Sequence, residues 1–209
     1  MEIRHPEWLQ VKYGQETGYG YSQSWYSTRR KRASGCGPTA ATMLLLYLNR
    51  REMGSLPYTD NTIPAITEAL EAIWDFVTPG WLGLSSTKKF CRGVAAFLRH
   101  HHLAWSCHRF SVPVCMSRRR SLAQTVDFLE QGLAADCPIA FLNLDKGQEK
   151  CLETWHWIIV TALVYEEQAQ RYIVTCYDGG RRLSFDLNAW LTTSKLGGGF
   201  AFVTTGNEK

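Results

Sequence analysis

No stretch of this sequence approaches the roughly 18 apolar residues that a membrane-spanning helix requires. Its opening, MEIRHPEWLQVKYG, has no apolar segment of the kind that marks a secretory leader, so a cytoplasmic protein without membrane association is expected. The seven cysteines are odd in number and follow no regular spacing, which excludes a disulfide scaffold and fits a reducing compartment. Neither a CxxC nor an HxxxH spacing accompanies His100-His101-His102 or the nearby Cys91, Cys107, His108 and Cys115. Successive helical residues point in different directions, so the histidine run implies no metal, and nothing implies a cofactor. The formal charge is only +4, and the basic runs Arg29-Arg30-Lys31-Arg32 and Arg118-Arg119-Arg120 lack the interleaved aromatics of a single-strand binder. They read as solvated loops, and no nucleic acid is expected. Repeats, linkers and low-complexity tracts are absent as well, so residues 1–209 read as a single domain. Nothing in the sequence speaks to oligomeric state.

What is present is ample material for a core: 45% of residues are hydrophobic and 12% aromatic, with eight tryptophans. Residues 1–33 carry Gly, Tyr, Ser and charge with no sustained period and read as an extended N-terminal arm. A helix then begins near Pro38, where a missing N–H costs nothing, and runs through Leu48. Being apolar nearly all round, it should be buried. Helical spacing recurs over Ile63–Phe76, Lys88–His102 and Leu122–Leu133. Beyond Pro138 the pattern changes to short β-branched and aromatic runs: Ile139–Leu144, His156–Tyr165, Arg171–Tyr177, Arg181–Phe185 and Phe200–Thr204. Short polar turns between them imply antiparallel neighbours. Helices first and an antiparallel sheet second predict an α+β fold.

The segment SGCGPTAATMLLLYL, Ser34–Leu48, sets a cysteine between two glycines immediately before the apolar helix. A cysteine kept for packing belongs inside the apolar run. At a helix start, unpaired N–H groups and the positive end of the macrodipole favour a thiolate, the nucleophilic form. Gly35 and Gly37 would leave room for a substrate carbonyl, and the Cys36 N–H would help to stabilise an oxyanion. A nucleophile needs a base, and the base an orienting group. His156 opens the strand HWIIVTALV, and Asp178 closes the strand RYIVTCYD. If the two form a hairpin about the turn at Glu167–Ala169, Asp178 lies beside His156 and holds its ring. A turn residue before Gly-Gly is the plain alternative for Asp178, and Asp186 is a weaker candidate for the orienting role. Cys151 and Cys176 read as structural or incidental thiols.

Cys-Gly-Pro-Thr-Ala-Ala at a helix start, then His-Trp-Ile-Ile-Val, then Tyr-Asp-Gly-Gly, in that order, resembles the papain-like cysteine peptidases. Among them it looks most like the bacterial C39-like group, over roughly residues 23 to 204. The resemblance implies a papain-like fold, with helices packed on the sheet and Cys36 as nucleophile, His156 as general base and acid, and Asp178 as orienter. A peptide or protein would be the substrate. The family places an oxyanion-donating glutamine about six residues before the cysteine. Arg30 stands there, and the nearest candidate is Gln23, with the basic run as a surface excursion between the two. A related acyltransferase or deamidase would use the same residues. A catalytically silent module binding a peptide or leader sequence is the alternative from another class.

Overall fold

The structure is a computed structural model that describes residues 1–13, 15–81, 83–114 and 121–206. Cys115 and the Arg118–Arg120 run lie outside the described residues. The chain opens with a 3-10 turn, Pro6–Leu9, and a short hairpin of β1 (Gln10–Tyr13) and β2 (Glu16–Tyr19). A second 3-10 turn, Gln23–Trp25, leads to α1 (Arg29–Ser34), α2 (Cys36–Arg51), α3 (Ile63–Trp74) and α4 (Thr87–His100). After β3 (Ser106–Val112) and α5 (Leu122–Ala134) come β4 (Ile139–Asn143), β5 (His156–Glu166), β6 (Arg171–Asp178) and β7 (Arg181–Asp186). The short α6 (Leu187–Thr193) and β8 (Gly198–Thr204) complete it.

Strands β3 to β8 form one antiparallel six-stranded sheet in the order β3-β8-β4-β5-β6-β7. The α+β arrangement expected from the sequence is the observed one. Helix α2 is buried from Gly37 to Asn49, as its all-round apolar surface requires, and it packs on β4, β5 and β8. Helices α3 and α4 pack against α2, and α5 and α6 form a second contacting pair on the sheet. Phe141 stacks on Phe200 and Phe185, with the Trp190 indole edge-on at 4.8 Å, which fills the sheet's centre. Burial of such rings contributes about 1.5–3 kcal/mol each.

Beyond the N-terminal 34 residues, two elements are absent from the sequence reading. Strand β3, SCHRFSV, is an edge strand with mostly exposed or half-buried side chains, so it lacks a clean apolar alternation. Helix α6 spans only seven residues, LNAWLTT, and depends on Asp186, whose carboxylate accepts from the Ala189 N–H at 2.9 Å. That cap also disposes of Asp186 as an orienting residue, since it pairs with Ile173, five residues from the Asp178 end of β6.

The larger correction concerns residues 1–33, which are not an extended arm. Ile3, Leu9, Val11, Tyr21 and Tyr26 are all buried in the core. Backbone hydrogen bonds join Met1 to Leu163 and the Ile3 N–H to the Thr161 carbonyl, so the first residues extend the sheet along β5 beyond the reach of β4. The basic run is helical rather than a loop. Thr28 caps it by accepting from the Lys31 N–H, Lys31 is ion-paired with Glu71 of α3, and Arg32 donates to the Tyr26 and Ser27 carbonyls. Tied down through Lys31 and Arg32, the run is a part of the fold, not a removable excursion.

Gly35 joins α1 to α2, and its lack of a side chain is essential. A Cβ there would come within 2.5 Å of the Tyr26 ring and 2.6 Å of the Lys31 carbonyl oxygen. Gly35→Ala is therefore expected to cost about 1–3 kcal/mol, the range for overpacking. A lowered urea midpoint with unchanged slope would show it. At Gly37 the nearest neighbour is the Leu84 side chain, at 2.7 Å. The room that the sequence reading assigned to substrate beside these glycines is thus occupied by Tyr26 and Leu84.

Candidate active site

Cys36 is the first residue of α2 and is half-buried, whereas the apolar residues that follow are enclosed. Its position follows from the local sequence: Gly35 bends the chain out of α1, and Pro38 fits the first turn, where no N–H is needed. His156 begins β5 and pairs in register with Asn143 of β4. On its other side, β5 and β6 form the anticipated hairpin. Ile159 lies opposite Tyr177, so Asp178 falls opposite Ile158, and His156 is its diagonal neighbour on the same face.

That diagonal depends on a bulge. From Glu166↔Arg171 the pairing runs regularly to Ala162↔Thr175, then shifts, leaving Thr161 without a register partner on β6. Without the shift, Asp178 would lie opposite Ile159, an odd number of residues from His156, and on the other face. The bulge therefore turns the carboxylate toward the ring.

The resulting geometry is tight. His156 Nε2 and Asp178 Oδ1 are 2.8 Å apart, and Arg181 Nη2 donates to Asp178 Oδ2, also at 2.8 Å. Arg181 reaches Glu153 Oε1 as well, at 2.9 Å, so the carboxylate is held from both sides. The turn that carries it is clamped by the N-terminal hairpin: Tyr19 and Gly180 exchange both backbone hydrogen bonds, and the Tyr19 ring meets Tyr177 edge-on. Nε2 is turned to Asp178, and Cys36 lines the same small cavity as the imidazole.

Burial by itself disfavours the charged ring of His156. Hydrogen bonds to Asp178 and Cys36, reinforced by their charges, outweigh that and push its pKa up to about 10. Burial likewise works against the Asp178 carboxylate, but the His156 hydrogen bond and charge, with Arg181 behind them, hold its pKa below the ordinary carboxylate value. The pair is therefore imidazolium and carboxylate at neutral pH.

Gln23 lies on the same side of the molecule. With Tyr21, Ser22, Cys36, Met43 and His156 it lines a small cavity of about 50 Å³. Its Nε2 donates to the Arg32 carbonyl at 2.9 Å, while Oε1 is buried with no hydrogen-bond partner among the described residues. A second, open cleft of about 550 Å³ meets Cys36 from outside and is lined by Arg30, Ser34, Gly80, Trp81, Gly83 and Trp155. A larger concavity, of about 870 Å³, opens around Arg51, Asp136 and His108, where His108 Nε2 and Thr204 Oγ1 are 2.8 Å apart; none of Cys36, His156 and Asp178 lines it.

The remaining sequence candidates fall elsewhere. His100 and His101 pack with Phe76 and Phe97, and no group of three or more His, Cys, Asp or Glu side chains converges as a metal site among the described residues. Cys176 is buried and its thiol is pushed up by burial, while the Cys151 thiol donates to the Ser184 carbonyl at 3.4 Å. Arg181 and Tyr19 escaped the sequence reading. Arg181 was accessible in principle, because the tight Asp-Gly-Gly turn returns the chain beside Asp178. Tyr19 was not, since only the folded hairpin brings it there.

Compared with solved structures, the chain is similar to UfSP from C. elegans, with a TM-score of 0.54 at 8% identity. The likeness covers 94% of this chain. UfSP has a papain-like fold. The fold is papain-like. This chain spans 34% of that UfSP chain, about a third of its length. No family model matches the sequence, and no curated protein does. No helix among the described residues is long and apolar enough to cross a membrane.

Proposed function

We propose that this papain-like protein is a cysteine peptidase of the C39-like type, hydrolysing a peptide or isopeptide bond through Cys36, His156 and Asp178. The observation that carries the reading is the 2.8 Å contact of His156 Nε2 with Asp178, on a ring that lines one small cavity with Cys36, a thiol at a helix start. Neither a packing cysteine nor a satisfied core histidine requires that combination. The order Cys, His, Asp along the chain and the CGP-x-A segment favour the C39-like type.

In the reaction, the Cys36 sulfur attacks the carbonyl carbon, and its proton resides on His156. The tetrahedral oxyanion is stabilised by the Cys36 N–H and by the Gln23 amide. Gln23 uses one N–H to anchor on Arg32, which orients the amide and leaves the second N–H for the oxyanion. His156 gives its proton to the leaving amine, the C–N bond breaks, and an acyl-thioester remains on Cys36. Water, deprotonated by His156, then releases the acid and restores the thiol. Asp178 keeps the ring oriented throughout and stabilises its charge. Another amine in place of water would make the same site a transferase.

Gln23→Ala is expected to lower kcat by about 10²- to 10³-fold with little change in KM, the usual loss for one oxyanion donor. An unchanged kcat retires Gln23 from this role. The decisive test of the whole reading is alkylation of Cys36 by iodoacetamide, followed by mass spectrometry. The rate should fall sharply in His156→Ala. A thiol indifferent to His156 would instead mark a catalytically silent module.

A further inference from the structure

Trp81 and Trp155 are the exposed tryptophans among the described residues, at 98% and 52%, and both line the open cleft beside Cys36. Leaving such rings in water forfeits the stabilisation that their burial would bring, so a shared location at the thiol calls for a ligand. Each is held there by structure. Trp81 stands on a turn closed by two backbone hydrogen bonds between Gly80 and Gly83, both 3.1 Å. The adjacent Leu84 anchors that turn, since its side chain lies over Gly37 and its carbonyl accepts from the Trp157 indole. Trp155 directly precedes His156 with φ of 57°, a left-handed conformation that a bulky residue adopts only under constraint.

Charge defines the rest of the cleft. Arg30 lines it and is exposed, with no hydrogen-bond or ion-pair partner for its guanidinium among the described residues. Its neighbours are engaged, Lys31 with Glu71 and Arg32 with the Tyr26 and Ser27 carbonyls. Glu153, the acidic residue close to Trp155 in sequence, is taken by Arg181. The cleft thus offers one uncompensated cation and two exposed indoles, with Cys36 among its lining residues.

We propose that this cleft selects an extended polypeptide segment carrying an acidic side chain next to a bulky apolar one, adjoining the scissile bond. The inference rests on the reading of Cys36 as the nucleophile and adds the substrate class. The carboxylate pairs with Arg30, and the apolar side chain lies against Trp81 and Trp155.

Short peptides bearing either an N-terminal chloroacetyl group or a C-terminal chloromethyl ketone present both chain directions to Cys36. Three side-chain pairs are compared, Asp-Phe, Lys-Phe and Asp-Ala, each labelling rate being divided by the iodoacetamide rate of the same protein variant. In at least one direction the Asp-Phe probe is expected to exceed Lys-Phe by about tenfold, the order of one charge-assisted hydrogen bond. Arg30→Glu should invert that order. Trp81→Ala and Trp155→Ala should each narrow the advantage of Asp-Phe over Asp-Ala. Equal normalised rates for the aspartate and lysine probes in both directions overturn the proposal, as does an order unaltered by Arg30→Glu. Protection of Cys36 by a single-stranded oligonucleotide but by no acidic peptide overturns it too. Failure of the underlying reading has a different signature: an iodoacetamide rate unaffected by His156→Ala.

Discussion

In a Cys36→Ala protein, hydrolysis of peptide substrate is expected to fall by about 10⁴-fold or more, because removing the nucleophile leaves only binding and the oxyanion donors. The fold should survive. Cys36 is half-buried at the edge of two cavities, so little apolar surface is lost, and alanine is the better helix former. A melting temperature within about 4 °C of the wild type is expected, corresponding to less than about 1 kcal/mol. The measurements are a fluorogenic peptide assay and thermal unfolding. A large drop in melting temperature, together with wild-type activity that resists thiol reagents, would return Cys36 to a packing role.

Asp178→Asn probes the orienting residue with almost no change of shape. Loss of the negative charge leaves the His156 ring without its strongest support, so its pKa should fall from about 10 toward the ordinary value of 6.5, visible in ¹⁵N chemical shifts. The expected loss in kcat is up to about 10⁴-fold, the figure for the corresponding change in serine triads. Because Asp178 lies behind the ring and away from the open cleft, KM should change little.

The same variant has a pH signature in stability. The folded pKa of His156 is raised, so its pairing stabilises fully below the unfolded value near 6.5 and is lost as pH climbs through about 10. That of Asp178 is lowered, so its contribution is present above about 3.8 and is lost as pH falls through the folded value. The wild-type melting temperature should therefore decline between neutrality and pH 10. In Asp178→Asn the decline should be shallower, because the ring is already largely neutral at the start. Parallel curves for the two proteins would argue against a charged His156.

Much of the architecture was legible in the sequence where local signals were strong. The apolar helix after Cys36, the amphipathic spacings at Ile66, Ala69, Leu70 and Ile73, and the β-branched runs around Ile159 and Val174 each declare their own element. Strand β3 and helix α6 did not, because an exposed edge strand and a seven-residue helix take their stability from neighbours rather than from their own pattern. The N-terminal residues were misread for a similar reason. Ile3, Leu9 and Val11 follow no sustained period, yet each is buried, because Met1–Ile3 add to β5 and the β1–β2 hairpin clamps the Asp178 turn. Periodicity detects an element that packs along its length and is blind to one that docks at points.

The sequence by itself determined that Cys36 stands at a helix start, that His156 opens a buried strand, and that Asp178 closes the next one. Caps, turns and apolar runs are local, and local chemistry is enough to set them. Which face the carboxylate would take was not local. Counting back from the turn at Glu167–Ala169 brings Asp178 near His156, but a strand flips its side chains with every residue. The bulge at Thr161, where the Ile3 N–H binds the Thr161 carbonyl, shifts the register by one and puts Asp178 and His156 on one face. Tyr19 joins the site in the same way, through backbone hydrogen bonds to Gly180, a segment distant in the chain. Only the tertiary structure decides those contacts, because they depend on distances that no spacing along the sequence encodes.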